Sequence, residues 1–584
     1  MLKYFLMNSY SDLICQVVAD LYDQSIDAEL TRPDSKFGDY STNVALRLAS
    51  KLGRAPRDIA KEIADRLLAS GVFAVVDIAG PGFINLTVDA IALENKLTKA
   101  FSSTIPYGNN TDGAGKKVLV EYPSTNMAKP FSVGHLRSSN QGWSARNLML
   151  VTGWQVITDN HLGDYGTPFG IWVVGFKHFS NEEKLANRGI YELGDIYIKT
   201  KQAIKDEQAN GKHDLEEEAQ QWLLRLEDGD KEALAYSERF NKISLDHIHQ
   251  VMARLGISTD YEIGEKFYAD MGKQAAHDLV DRGIAVQNPD GSIIVPLEDY
   301  GIKTPLLILK SNGAALYATT DLATLIYREE QFHLDRVIYC VASEQKFYFE
   351  QLFAMAKKMG IKTELIHMWF GLIDQLNADG TREKMSSRKG VVLLEDLLNE
   401  AEKKARENAK STDISDEDIK KIAVGAIKFT DFAADRRTGM LFDWQTMFNL
   451  TGYSGPYVQY AAVRVNKILK DNQDIVGSEE DKQTDANNQA TGSYDYQPEK
   501  NILLKLLDYP GIVKLAADNL EPHRIATYVY ELAKEMNRYY EHTPIATADV
   551  PEDIKLARLG LLKKVSYVFE HALNILGIQI PSRM

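Results

Sequence analysis

The sequence predicts an α/β protein built on a parallel sheet, with a small α+β unit ahead of it and an all-helical region behind. Three observations carry this. Short apolar runs at Val118–Val120, Trp154–Thr158 and within Asp335–Gln345 alternate with helical stretches, the pattern of a doubly wound parallel sheet. Before about residue 105, helical periodicity over Ala45–Ser70 gives way to strand, Gly-Pro-Gly turn and strand over Val76–Val88. From about residue 395 onward nearly every segment reads as helix.

Taken in order, the first unit holds KFGDYSTN (36–43), a loop of small polar residues around an aromatic, read as packing rather than base stacking. TDGAGKK (111–117) is a linker. The next stretch, VLVEYPSTNMAKPFSVGHLRSSNQGWSARNLML (118–150), reads as strand, turn and helix start. That arrangement aims free backbone N–H groups and the positive end of a helix dipole at one point, which suits a phosphate, and His135 stands in the first turn. WQVITDNHLGDYGTPFG (154–170) is a strand running into a loop dense in Asp, Asn, His and Gly, the position where open α/β sheets hold ligands. Residues 176–255 read as charged, solvated helix. TPLLILKSNGAALYATTDLATLIY (304–327) predicts strand, Asn-Gly hairpin, second strand and helix. IKTELIHMWFGLI (361–373) is a further strand region. DGTREKMSSRKGVVLLEDLL (379–398) gathers Arg382, Lys384, Arg388 and Lys389 around small hydroxyl residues and Gly390, the composition of an anion-binding loop. In the last helix Leu556, Leu559, Leu562, Val565, Phe569, Leu573 and Leu576 form one stripe, read as bundle core.

A length of 584 residues implies about three or four domains. No run of about 18 apolar residues predicts a membrane span, and the N-terminus reads as no signal peptide. Two cysteines, Cys15 and Cys340, fit a reducing, cytoplasmic setting and argue against a disulfide framework and a cysteine zinc site. A net charge of −15 argues weakly against a nucleic-acid partner, because residues 471–500 alone carry eight acids against two lysines. That segment is expected to be a disordered insert that avoids RNA.

These blocks, in this order, resemble the class I aminoacyl-tRNA synthetases, and in detail the arginyl type. GDYSTNVAL and AGPGFINL are similar to that family's N-terminal additional domain; VEYPSTNMAKPFSVGHLRS and DNHLGDYGTPFG resemble its first catalytic block. LKSNGAALYATTDLA, VASEQ, WFGLI and EKMSSRKG resemble its later blocks, and GPYVQYAAVR and the terminal ARLGLLKKVSYVFEHALNILGIQIPSRM its anticodon-binding bundle. The resemblance implies a Rossmann-like class I catalytic domain with a parallel sheet. It implies an N-terminal additional domain at 1–108 facing the tRNA D-loop and a catalytic domain at 109–395 with a helical insertion near 176–255. A connecting helical region at 396–448 and an anticodon-binding domain at 449–584 complete the expectation.

The implied reaction consumes L-arginine, ATP with Mg2+, and tRNA(Arg), with no protein-bound structural metal and a monomeric enzyme. Gly134 and His135 would sit against the ATP phosphates, with Lys384, Met385, Ser386, Arg388 and Lys389 closing over the departing pyrophosphate. His367, Met368, Phe370 and Gly371 would line the adenine. Asp321 and Glu265 would face the guanidinium beside Tyr317, while Ser124, Asn126 and Gln345 hold the α-amino and α-carboxylate groups. Tyr457, Arg464 and Met584 lie in the blocks that contact tRNA. A site built on such polar pairing rejects uncharged analogues, so no editing domain is required.

Two departures from the family pattern matter. The first His of the family's His-x-Gly-His is Ser132 here. The usual Lys-Met-Ser-Lys-Ser reads Lys384-Met385-Ser386-Ser387-Arg388, without its second lysine. Some arginyl enzymes lack that lysine and carry one just ahead of the first motif, where Lys129 stands; Lys129 is expected to supply the missing charge at the α-phosphate. The alternatives are a class I synthetase for another amino acid and a non-catalytic tRNA-binding paralogue.

Overall fold

The computed structural model describes residues 8–127, 129–164, 168–376, 381–385, 392–409, 413–476, 494 and 496–584. The chain forms two compact units. One comprises residues 1–111, 457–519 and 524–573; the other comprises 112–456, 520–523 and 574–584.

In the first unit, an antiparallel sheet in the order Tyr40–Thr42, Phe83–Val88, Phe73–Ala79 is covered by the helices Val44–Leu52 and Pro56–Ala69. Pro56 starts its helix at a position where the missing N–H costs nothing. The C-terminal helices Lys500–Asn519, His523–His542 and Glu552–Ile575 contribute to this unit as well. Along the last, Leu559, Leu562, Val565, Phe569 and Leu573 are buried, as their spacing predicts, but Leu556 is 46% exposed.

The segment 471–500, expected to be a disordered insert, carries described structure at both ends. The helix Gly455–Asp471 is followed by Gln473–Val476, and the chain is described again at Tyr494 and from Tyr496. Glu499, counted among the solvating acids, is fully buried: its Oε1 accepts from Tyr494, Tyr539 and Arg558. Composition cannot distinguish a solvated acid from one held in a buried network. Residues 477–493 lie outside the described residues.

The second unit is organised on a parallel sheet. Its elements are β1 (Lys117–Glu121), α1 (Leu136–Val151), β2 (Gln155–Asp159), α2 (Glu265–Asp281) and α3 (Tyr317–Phe332), followed by β3 (Arg336–Tyr339), α4 (Lys346–Met359) and β4 (Glu364–His367). The strand order is β4-β3-β1-β2, with every pair parallel. Bridges from Asp159 to Tyr261 and from Leu162 to Gly264 prolong the β2 edge with a further extended segment. Val118, Leu119 and Val120 are buried, as befits a parallel strand covered on both faces. Because β2 lies on one side of β1 and β3 on the other, the order reverses between β1 and β3. A crevice forms beyond the carboxyl ends of strands at such a switch point. The chain leaving β1 is residues 122–135; the chain leaving β3 is 340–345.

The helix start after His135 is present, and α1 continues through Gly142. A Cβ at Gly142 would lie 2.5 Å from the Tyr122 ring, so the glycine lets α1 pack directly on the chain leaving β1. The helical insertion expected near 176–255 runs from Pro168 to Arg254. The Asn-Gly hairpin is a tight turn only, closed by the Gly313 N–H to the Lys310 carbonyl at 2.9 Å. No second strand follows: Leu306–Leu309 pairs with Ile293–Val295, and the chain enters α3. Thr319 Oγ1 accepts from the Leu316 N–H and donates to the Ile308 carbonyl, so a capped helix forms where alternating residues suggested a strand.

A second small sheet joins β5 (Ile373–Leu376), antiparallel to β6 (Arg382–Lys384) and parallel to β7 (Met440–Phe442), with α5 (Leu394–Asn408) and α6 (Asp416–Asp431) between β6 and β7. Arg137 on α1 is buried against Asp431 on α6 at 2.8 Å and also donates to the carbonyls of Gly371 and Thr438. That buried ion pair, with every contact hydrogen-bonded, fixes α1 against the segment leading into β5.

Candidate functional site

The turn after β1 is held in a specific shape. The Ser132 N–H donates to His135 Nδ1 at 3.3 Å, and the Ser132 hydroxyl lies 3.3 Å from the same nitrogen. His135 stacks on Phe131 with ring centroids 5.0 Å apart. Burial lowers its pKa to about 4, with the Lys129 charge adding in the same direction. A neutral imidazole whose Nδ1 accepts from a backbone N–H carries its proton on Nε2, which is therefore a donor. Gly134, beside it, is exposed.

The same turn is tied to the chain after the basic loop. Ser132 bridges Leu393; the Val133 N–H donates to the Val392 carbonyl at 3.0 Å, and the Leu394 N–H to that of Phe131 at 2.9 Å. On the other side, the Met385 N–H donates to the Ile373 carbonyl at 3.0 Å, and Lys384 pairs with Asp374 through the β6–β5 ladder. Both flanks of the loop are thus anchored. Ser386, Arg388 and Lys389 lie outside the described residues, as does the Lys384 side chain. Lys129 is exposed, its ammonium 5.7 Å from the Tyr197 ring.

Beyond β4, the chain runs on parallel to the segment leaving β3. Met368 is buried, its N–H donating to the Tyr339 carbonyl at 2.9 Å. Phe370 is buried and bridges Ala342. His367 stacks on Phe349 at 4.3 Å and reaches the Val341 carbonyl through Nε2 at 3.0 Å, with burial lowering its pKa to about 4. The Gly371 carbonyl is occupied by Arg137 and its N–H by the Arg436 carbonyl.

The acidic side chains come from three elements. Asp321 lies one turn after Tyr317 on α3, so both share a face. Tyr317 is 67% exposed, whereas burial raises the Asp321 pKa; the Tyr348 hydroxyl donates to its carboxylate. Glu265 opens α2, and its N–H donates to the Leu162 carbonyl. Its pKa is raised to about 8, first by burial and then by the charges of Asp321 and Asp164. Asp164, in the loop after β2, accepts from the Lys266 N–H at 2.9 Å.

Ser124 adopts φ +58° and donates to Glu121 Oε1 at 3.2 Å. The other Glu121 oxygen pairs with Arg328 at 2.7 Å, and Arg328 also holds Asp159 at 2.8 Å. Glu121 is therefore half of a buried clamp across β1 and β2. Asn126 is exposed and bridges Gly163 through its backbone; Gln345 is exposed at the start of α4. Asp164, Tyr348 and Arg328 were not singled out from the sequence. Asp164 lies in the polar loop already marked as ligand-facing, so a signal existed; Tyr348 and Arg328 sit on α4 and α3 with no local motif around them.

In the first unit, Tyr457 packs against Tyr530 with centroids 5.3 Å apart, and the Arg464 guanidinium lies 3.7 Å from the Tyr540 ring centroid. Met584 ends the segment 574–584 of the second unit, where Ser582 is bound to Asp418.

Residues 96–444 match the family model described as tRNA synthetases class I (R), catalytic domain; 8–88 match Arginyl tRNA synthetase N terminal domain, and 458–584 match DALR anticodon binding domain. The arginine–tRNA ligase of Clostridium perfringens is 35% identical over 593 residues, covering 97% of this chain and 99% of that one. That of Lactococcus lactis subsp. lactis is 34% identical over 548 residues, covering 92% and 93%. Among solved structures, the Thermus thermophilus arginyl-tRNA synthetase aligns over 100% of both chains with a TM-score of 0.78 and 22% identity, a likeness of fold.

Proposed function

The chain belongs to the arginyl-tRNA synthetase family, and from that premise we propose how its residues carry out ATP-dependent activation of L-arginine and its transfer to the 3′ end of tRNA(Arg). The observation that carries the reading is the set of carboxylates at Glu265, Asp321 and Asp164: burial raises the proton affinity of all three, the charges of Asp321 and Asp164 raise that of Glu265 further, and the set calls for a cationic guest. A guanidinium, planar with five donors, suits it.

The substrate carboxylate attacks the α-phosphate of ATP, forming arginyl-adenylate and releasing pyrophosphate; a ribose hydroxyl of tRNA then displaces AMP. The enzyme orients the groups and stabilises charge, with no covalent intermediate on the protein. Asp321 and Glu265 hold the guanidinium, with Tyr317 at the mouth. Ser124, Asn126 and Gln345 hold the α-amino and α-carboxylate groups. His135 donates Nε2–H to a phosphate as a neutral group, and Ser132 orients it rather than bonding the phosphate. Positive charge comes from Lys129 and from Lys384, Arg388 and Lys389 of the loop. Gly134, Met385 and Ser386 border the phosphates, and backbone around His367, Met368, Phe370 and Gly371 borders the adenine.

Magnesium is proposed only as the ion that ATP brings with it. Among the described residues no group of three or more His, Cys, Asp or Glu side chains is placed to hold a metal, and no step is assigned to one. The finer reading adds a monomeric enzyme in the cytoplasm, consistent with two free cysteines. It keeps the domain limits 1–108, 109–395, 396–448 and 449–584, with tRNA contacts at Tyr457, Arg464 and Met584. Tyr457 and Arg464 belong to an aromatic and cationic surface that suits unpaired bases.

The test is aminoacylation of tRNA(Arg) with arginine, lysine and citrulline, the last replacing the guanidinium with a neutral ureido group. Arginine alone is expected to be charged, with citrulline disfavoured by about 10⁴-fold or more. Comparable use of citrulline would remove the carboxylate pocket as the specificity element.

A further inference from the structure

The acidic pocket holds more negative charge than its surroundings balance. Glu265 is 8% exposed, and among the described residues its side-chain oxygens take part in no hydrogen bond or ion pair. Asp321 on α3 accepts from the uncharged Tyr348 hydroxyl of α4, and Asp164 from the backbone N–H of Lys266. Tyr317 brings a phenol, not a charge. The Lys266 side chain is exposed. His161 lies near Asp164 and Asp321, stacked on Tyr268, with its Nδ1 buried and unbonded. Arg328, the cation behind Asp321, is engaged by Glu121 and Asp159.

We propose that Asp164, Glu265 and Asp321 act as one cradle, which retains a proton while empty and gives it up to solvent as the guanidinium enters. The proposal rests on arginine occupying this pocket, and it adds Asp164 as a positioning residue that tunes the site. Neighbouring carboxylates that lack a cation do not all ionise in a desolvated site. A bound guanidinium supplies the missing charge and favours the ionised form. Burial and like charge hold Glu265 at about 8, and burial raises Asp164 and Asp321 too. Because the groups interact, the proton belongs to the cradle rather than to one carboxyl. Asp164 also sets geometry. A Cβ at Gly264 would lie 2.3 Å from its carboxyl group, and the bond to Lys266 fixes the first turn of the helix that presents Glu265.

The sign follows directly. Below pH 8 the empty cradle carries the proton and the filled one does not, so arginine affinity rises with pH, approaching tenfold per unit, and levels off above. Titration calorimetry of the full chain with arginine at pH 7, in phosphate and in Tris, counts the protons released from the difference in heat. About one proton per arginine is expected, falling as pH passes 8. Glu265→Gln provides the reference for protons lost by arginine's own amino group. Asp164→Asn keeps the acceptor for Lys266 but removes the charge; it is expected to move the midpoint of the affinity profile down by about half a unit or more. Arginine binding without proton release at any pH overturns the cradle, and an unmoved midpoint in Asp164→Asn removes that residue from it. Binding undiminished in a Glu265→Gln/Asp321→Asn double variant would instead overturn the placement of arginine itself.

Discussion

At one end of the second unit's site stands His135, neutral, stacked on Phe131, its Nδ1 bonded to a backbone N–H and its turn tied to residues 392–394. At the other stands Glu265, buried, beside two further carboxylates and, among the described residues, joined to no cation. The first group is already satisfied on one side and presents a single donor. The second is left without a counter-charge until a ligand brings it. The contrast assigns different kinds of selectivity. On the proposed reading, the His135 end holds a suitably placed phosphate oxygen through orientation, whereas the Glu265 end demands a positive charge and penalises a ligand without one. A few ångströms of backbone would not convert one into the other, because the difference lies in which polar groups the fold leaves unpaired.

The largest expected effect comes from removing charge at the unpaired end. Asp321→Asn should lower kcat/KM for arginine by about 10²–10⁴-fold, the consequence of losing one partner of a buried charge pair worth about 3–5 kcal/mol. The KM for ATP should change little, and resistance to denaturant should stay level or rise, because the empty pocket loses a like-charge neighbour. A fall in stability with unchanged arginine kinetics would erase the contrast, making Asp321 structural.

At the satisfied end, His135→Ala should cost about 2.7–4 kcal/mol in the activation step, a loss of about 10²–10³ in kcat with arginine affinity retained. The pH dependence sharpens this. The folded pKa of His135 is depressed to about 4, so charging it is unfavourable in the folded chain. Between the ordinary histidine value and about 4, the unfolded chain binds the proton and the folded one does not. Stability therefore falls as pH drops through that window, and His367 adds to it in the same direction. Denaturant unfolding of the wild type and His135→Ala at pH 7 and pH 4.5 should show a smaller acid loss in the variant.

The smallest effect is expected at Lys129, which is exposed. Lys129→Ala should slow adenylate formation by about tenfold or more, roughly 1.4 kcal/mol of charge stabilisation. Pre-steady-state adenylate rates within about twofold of wild type would shift the α-phosphate charge to the loop cations alone.

Much of this architecture was written in local patterns. The apolar run at 118–120, the turn after it and the helix from Leu136 each follow from neighbouring residues, because backbone hydrogen bonding and burial periodicity act over a few positions. Glu265 and Asp321 were found through the resemblance rather than by spacing, since 56 residues separate them in sequence. Where local pattern competed with packing, packing won. The Asn-Gly turn after Leu309 led into a helix because Thr319 caps it, and Glu499 was buried despite its acidic surroundings.

The sequence by itself determined the strands of the parallel sheet and the helix from Leu136, and marked the turn proposed to present a phosphate donor. Only the tertiary structure decided which charges are balanced. Arg328 reaches Glu121 and Asp159 from a different helix, Arg137 reaches Asp431 across 294 positions, and Glu265 is left with carboxylates for neighbours. The reason is physical: secondary structure is set by short-range geometry, whereas the ionisation of a buried group depends on every charge that folding brings near it.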